Sequence, residues 1–132
     1  MPIILDTHAW VWWVTNDSRL SIAAKTQITR AVKEDDLHLS MISVWEISKK
    51  VEKKQLILDR DLDAWLVLAT SAKGLHLVEL TRPILVESCG LPKPFHGDPA
   101  DQIVVATARN QAGALITKDE KIRNYAHVQS IW

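Results

Sequence analysis

Short apolar runs recur along the chain at intervals wide enough to hold a helix between each pair. Pro2–Leu5, Leu37–Met41, Leu75–Leu80 and Ala114–Thr117 read as strands, and Val128–Ile131 offers a last one. Pro2–Leu5 is apolar without alternation, which suits a strand buried on both faces. The stretches between carry helical spacing. Thr7–Val14 puts Trp10 and Trp13 on one face. Ser21 opens a helix to about Lys33, with Ile22, Ile28 and Val32 as its apolar marks. After Leu37–Met41, Ser43 stands three residues before Glu46, a capping-box spacing. The helix that follows turns Val44, Ile47 and Val51 inward and Lys49, Lys50, Lys53 and Lys54 outward. Leu56–Leu58 is a short extended piece. Asp59 or Asp61 caps a helix through Ala72, closed by Gly74. Thr81 begins a short helix toward Ser88, and the two glycines and three prolines of Cys89–Pro99 demand a loop. Asp98-Pro99 opens a helix to Gln111, and Asp119–Tyr125 is a short one. Strands separated by helices imply an α/β fold with a mainly parallel sheet flanked by helices.

Length and charge narrow the class. A chain of 132 residues suits one domain. Its 16 basic and 16 acidic residues cancel, which argues against a protein that coats nucleic acid by bulk positive charge but leaves room for a local basic stripe. The single cysteine, Cys89, can form neither an internal disulfide nor a multi-thiolate zinc site, so a reducing compartment is expected. The first residues lack the basic region of a secretory signal, and no apolar stretch approaches the ~18 residues of a membrane span. The expectation is a soluble, cytoplasmic protein with no membrane partner.

Four acids fall where chemistry sits in open α/β sheets, beyond the carboxyl ends of the strands. Asp6 ends the first strand, and Glu46 lies on the first turn of the helix after the second. Asp101 lies in the first turn of the helix after the Pro/Gly-rich loop, and Asp119 follows the fourth strand by two residues. If adjacent parallel strands bring them together, they form an anionic cluster that must take up protons or recruit cations. Oxygen ligands without histidine or thiolate spacing favour Mg²⁺ or Mn²⁺ over zinc, and such a site suits hydrolysis of a phosphate ester. Taken singly, Asp6, Ser43, Asp98 and Asp119 read as helix caps, and Glu46 and Asp101 as exposed first-turn acids. Spacing alone leaves both readings open.

The ordered set of motifs goes further. Ile4-Leu5-Asp6-Thr7-His8-Ala9, Ser43-Val44-Trp45-Glu46-Ile47, His96-Gly97-Asp98-Pro99-Ala100-Asp101-Gln102, Ala106-Thr107-Ala108 and Leu115-Ile116-Thr117-Lys118-Asp119 appear in sequence, followed by Tyr125 and the terminal Ile131-Trp132. In this order, spanning nearly all of 1–132, they resemble the PIN-domain ribonucleases, and within them the VapC-type toxins of toxin–antitoxin pairs. The resemblance implies one PIN-like domain with a four- or five-stranded parallel sheet and a Mg²⁺-dependent (or Mn²⁺-dependent) pocket that cuts RNA to a 3′-hydroxyl and a 5′-phosphate. It also implies a VapB-like antitoxin that blocks the pocket, and a homodimer. By motif position Asp6, Glu46 and Asp101 match the three core acids and Asp119 the fourth, all four as catalytic metal ligands. Asp98 is an extra acid with no assigned role, and Thr7 and Thr117 are placed to orient carboxylates. Gln102 and Lys54 stand where related chains often carry arginine and glycine.

Other conspicuous residues have plainer readings. The histidines (8, 38, 76, 96 and 127) show no paired metal spacing, and His8 and His96 read as supports beside the acids. Lys49, Lys50, Lys53 and Lys54 are a solvated helix face or a contact to RNA backbone, with Arg19, Lys25, Arg30 and Lys118 as further candidates. Trp45 and Trp65 are expected in the core. Trp10, Trp12 and Trp13 cannot all face inward from one short helix, so at least one is exposed or covers a partner. Competing functions fit less well. A haloacid-dehalogenase-like phosphatase wants a second aspartate at position 8, where His8 stands, and a receiver domain wants paired acids after the first strand. The remaining alternative is a catalytically silent PIN module that binds RNA or a protein partner.

Overall fold

The computed structural model describes residues 1–132. Strands β1 (Ile3–Leu5), β2 (Leu37–Ser40), β3 (Leu75–Val78), β4 (Ala114–Ile116) and β5 (Gln129–Ile131) form one sheet in the order β3-β2-β1-β4-β5. Every neighbouring pair is parallel, and Leu5 stands opposite Leu39 on one side and Ile116 on the other. Seven helices cover the sheet: α1 (Thr7–Val14), α2 (Ile22–Lys33), α3 (Ile42–Glu52), α4 (Leu62–Ala69), α5 (Arg82–Cys89), α6 (Pro99–Asn110) and α7 (Glu120–Arg123).

The unbroken apolar run of β1 has its physical reason in this arrangement. Ile3 and Leu5 point to one face, where they pack with Ala9 and Trp10 of α1, Ala24, Ile28 and Ala31 of α2, and Trp65 and Ala69 of α4. Ile4 points to the other face, against Ile84 of α5, Val104, Val105 and Ala108 of α6, and Ile122 of α7. Both faces of the central strand are dry, so alternation would have placed a polar group in a core. The largest buried side chain, Trp10, keeps its indole satisfied by donating to the Ala69 carbonyl at 2.9 Å, and it meets Trp65 edge-on at 5.3 Å.

Helix starts follow the capping residues. Ser21, Asp61, Thr81 and Asp98 each sit in extended conformation before their helix and accept an N–H three residues on: Ala24, Ala64, Ile84 and Asp101. Pro99 occupies the first turn of α6, where its missing N–H costs nothing.

Several expectations are corrected. Ser43 forms no capping box; α3 begins at Ile42 behind a Met41 cap without a side-chain bond, and Ser43 is fully buried inside the helix. Trp45 is not core but 54% exposed, because it lies on the face of α3 opposite Ile47 and no helix covers it. Ile22 is likewise exposed, and small residues, Ala24 and Ala31, take the inner face of α2 with Ile28. Helix α4 stops at Ala69, β3 at Val78 and α7 at Arg123, each short of its expected end. Lys54 takes a left-handed φ of 58°, a conformation glycine adopts without strain. Trp12 and Trp13 are both partly buried against the α1 side of the core.

Candidate functional site

The sheet order creates a crevice before any side chain is considered. From β1 the chain steps outward to β2 and β3, then crosses back to place β4 on the opposite side of β1. Connections therefore leave β1 and β4 in opposite directions, and the gap at their carboxyl ends is where open α/β folds bind ligands. Asp6 follows β1 directly, and Thr117 and Asp119 follow β4. Helix α3, entered from β2, contributes Glu46, and the first turn of α6 contributes Asp101. All four acids line one cleft of about 300 Å³, together with Thr7, His8, Trp12, Arg19 and Lys50. The sequence reading placed the four at strand ends; the structure brings them into one cleft. Asp98 stays outside it as the N-cap of α6.

Each acid is oriented by a neighbour. Asp6 is buried; its Oδ1 accepts the Thr7 N–H at 2.8 Å and its Oδ2 accepts the Thr117 hydroxyl at 2.7 Å. Thr7 also donates its own hydroxyl to Glu46 Oε1 and shares a 2.8 Å bond with Ser43 Oγ. Ser43 Oγ therefore donates to Thr7 Oγ1, which is why position 43 is buried and hydroxylated. Asp101 Oδ2 lies 2.7 Å from His96 Nε2. Asp119 caps α7 through Oδ1, which accepts the N–H groups of Lys121 and Ile122. The cap reading and the site reading are thus both satisfied at Asp6 and Asp119, because a carboxylate has two oxygens.

Electrostatics set this cluster apart from surface acids. Burial pushes the Glu46 carboxyl up to about 7, held back by the Thr7 hydrogen bond and pushed further by the charges of Asp6, Asp101 and Asp98. Burial also raises Asp101, against the His96 bond and with the charges of Asp6, Asp98 and Asp119. His8 moves the opposite way: burial lowers it, more than the Asp6 and Asp119 charges raise it. A neutral His8 fits its contact, since its Nε2 accepts the Lys118 N–H at 2.9 Å. No lysine or arginine pairs with any of the four acids; the basic side chains within 4 Å of them are His8, 3.6 Å from Asp6, and His96 on Asp101.

The donor set suits a hard divalent cation. It offers carboxylate oxygens from four elements in one cleft, and two of them resist ionising beside one another. As the side chains stand, no three acidic, histidine or cysteine groups approach closely enough to share one ion. His8 and His96 fall beside acids, as expected. Gln102 donates to the His96 carbonyl at 3.2 Å and so fastens the loop that carries His96. The cleft also contains Val11, Gln55 and Leu56, which no spacing rule singled out. Elsewhere no helix is long and apolar enough to cross a membrane.

Comparison with known proteins places the chain's family and fold. The family model described as PIN domain matches residues 3–128. Ribonuclease VapC22 of Mycobacterium tuberculosis is 32% identical over 129 residues, covering 98% of this chain and 95% of that one. Among solved structures, VapBC2 from Rickettsia felis bound to a DNA fragment from their promoter superimposes with a TM-score of 0.68 at 15% identity, over 99% of this chain and 98% of that one. DNA-bound VapBC from Salmonella typhimurium gives 0.68 at 13% identity, over 99% and 97%. At such identities the structural likenesses speak to the fold alone.

Proposed function

The chain belongs to the PIN-domain family, and on that premise we propose that it is a metal-dependent endoribonuclease of the VapC toxin type, restrained by a VapB-like antitoxin. The convergence of Asp6, Glu46, Asp101 and Asp119 in one cleft at the β1–β4 crossover carries the reading. These four would hold Mg²⁺, with Mn²⁺ as the alternative ion. Bound there, the ion supplies a Lewis acid that neutralises charge on a phosphodiester and acidifies water for attack, leaving a 3′-hydroxyl and a 5′-phosphate. The chain supplies the rest. Thr117 and the Thr7 N–H hold the Asp6 carboxylate in one rotamer, the Thr7 hydroxyl holds Glu46, and His96 holds Asp101. Asp6 is buried on the floor of the cleft, where the low dielectric strengthens its own pull on a cation.

Partners follow from the surfaces around the cleft. An apolar crevice of about 450 Å³ shares Val11 and Leu56 with it and extends over Trp65 and Leu68. A segment of the antitoxin lying in that crevice would reach the acids. Exposed Trp45 and Val86 are apolar surface suited to a second copy of the chain in a homodimer. We read residues 1–132 as one PIN-like domain working on RNA in the cytoplasm.

The test uses purified protein freed of antitoxin, incubated with total cellular RNA and Mg²⁺ or Mn²⁺. Discrete fragments that disappear with EDTA and with Asp6→Asn support a metal-dependent endoribonuclease, and their ends identify the target. Intact RNA with a folded protein would overturn the reading in favour of a silent binding module.

A further inference from the structure

Four cationic side chains stand near the acidic cleft or its rim, and they are not equivalent. Arg19 lines the cleft with its guanidinium 4.7 Å from the centre of the Trp12 ring, but it is spent: Nε and Nη2 both donate to the Asp17 carboxylate, at 3.1 and 2.7 Å. Lys49 is likewise spent on Glu52. Lys50 and Lys118 form no ion pair, although four carboxylates lie in the cleft beside them. Lys50 lies one turn after Glu46 on the same face of α3 and lines the cleft. Lys118 is held in three ways. Its N–H donates to His8, its neighbours Thr117 and Asp119 are tied down by Asp6 and by α7, and its ammonium rests 5.8 Å from the Trp12 ring centre. Lys50 from α3 and Lys118 from the turn after β4 thus approach the Asp6–His8 corner from two elements.

We propose that Lys50 and Lys118 are the phosphate-positioning residues of this cleft, holding the backbone of a single-stranded RNA on either side of the acids, with Trp12 keeping Lys118 off the carboxylates. This rests on the ribonuclease reading and specifies how its substrate is held. An acidic floor repels a polyanion, so unspent cations at the rim are what draw the strand across it. Trp12 makes the Lys118 position a built one: the aromatic ring offers the ammonium a seat that does not neutralise it, where Asp119 next door would. His8 supports the same seat, since Trp12 lies 5.0 Å from His8 and 5.8 Å from Trp132, ring centre to ring centre.

The test measures Mg²⁺-dependent cleavage of a labelled single-stranded RNA across a KCl series for wild type, Lys50→Gln, Lys118→Gln and Arg19→Gln, with Lys50→Arg and Lys118→Arg as charge-keeping controls. Each Lys→Gln change should raise KM about 5- to 10-fold while leaving kcat within about twofold. Each should also flatten the slope of log(kcat/KM) against log[KCl] by about 0.7. The arginine variants should restore the slope, and Arg19→Gln should keep the wild-type slope. Wild-type slopes in both glutamine variants, or flattening in Arg19→Gln equal to theirs, would overturn the assignment. If wild type cuts no RNA, the ribonuclease reading fails by itself. Fluorescence anisotropy of the uncut RNA with Mg²⁺ then runs the same slope comparison, and equal slopes there overturn this inference too.

Discussion

Glu46→Gln separates what the acidic cleft costs the fold from what it supplies to function. In the folded protein the Glu46 carboxyl is pushed from an ordinary 4.5 to about 7, first by burial and then by Asp6, Asp101 and Asp98. The folded value lies above the unfolded one, so the stabilising form is the protonated one. That contribution is fully present below about pH 4.5 and is lost as pH rises through 7. At pH 8, without metal, the fold carries the whole penalty of an ionised Glu46. Each pKa unit is worth about 1.4 kcal/mol, which sets an upper bound of about 3 kcal/mol. Glu46 is only half-buried and solvent screens it, so the expected penalty is about 1–2 kcal/mol. Glutamine removes the charge and keeps the oxygen that accepts the Thr7 hydroxyl.

In EDTA at pH 8 the variant should therefore melt about 3–8 °C above wild type. The gain should shrink toward zero near pH 4.5. With saturating Mg²⁺ it should fall or reverse, because ligation stabilises only the wild-type carboxylate. Differential scanning fluorimetry at three pH values, with and without Mg²⁺, reads all of this. A variant no more stable than wild type at pH 8 in EDTA, or equally stabilised at pH 4.5, would refute the electrostatic argument. Loss of cleavage alone would not test it.

Asp6→Asn should abolish cleavage, at least 10³-fold in kcat, and cost about 1 kcal/mol of stability or less, because the amide oxygen still accepts one of the two hydrogen bonds; urea unfolding beside the RNA assay checks both. Trp10→Phe loses the bond to the Ala69 carbonyl and part of the contact with Trp65, and should cost about 2–3 kcal/mol in urea unfolding with kcat retained. Gly113→Ala puts a methyl 2.6 Å from the Pro2 carbonyl oxygen and 2.5 Å from Ile4 Cδ1, and should destabilise by about 1–3 kcal/mol in the same assay. Lys54→Gly relieves a φ of 58° at the end of α3 and should raise stability by about 0.5–1 kcal/mol in thermal melts.

How much of this was legible in the sequence depended on whether a signal was local. The β1 run Ile3–Leu5 and the caps Ser21, Asp61, Thr81 and Asp98 act within a few residues of themselves, so pattern and propensity were enough to place all five strands and all seven helices. Asp6 and Asp119 were legible twice over, as caps and as strand-end acids. Ser43 was misread because its hydroxyl has two possible bonding partners. A spacing of three to Glu46 suggests an N–H in its own helix, whereas the partner is Thr7, 36 residues away. Trp45 was misread because aromatic residues are usually buried, and nothing nearby in sequence states that the outer face of α3 stays uncovered. Lysine identity was visible, but which lysines are unspent was not. That depends on Asp17 capturing Arg19, Glu52 capturing Lys49, and Trp12 seating Lys118.

The same non-local geometry explains why the cleft can gather four acids without unfolding the protein. A cluster of carboxylates at one point of a small fold should be strongly destabilising. Here each acid arrives on a different element, and three of them compensate locally: Asp6 caps α1, Asp119 caps α7, and Asp101 sits in the first turn of α6, where the helix dipole favours a negative charge. Glu46 alone has no helix terminus to serve. It lies inside α3 and depends on the single hydroxyl of Thr7 for its only hydrogen bond. Burial first, and then the charges of Asp6, Asp101 and Asp98, push it up to about 7 against that bond. Burial raises Asp101 as well, so the cost of the cleft is shared by Glu46 and Asp101, and cation binding there is coupled to proton release.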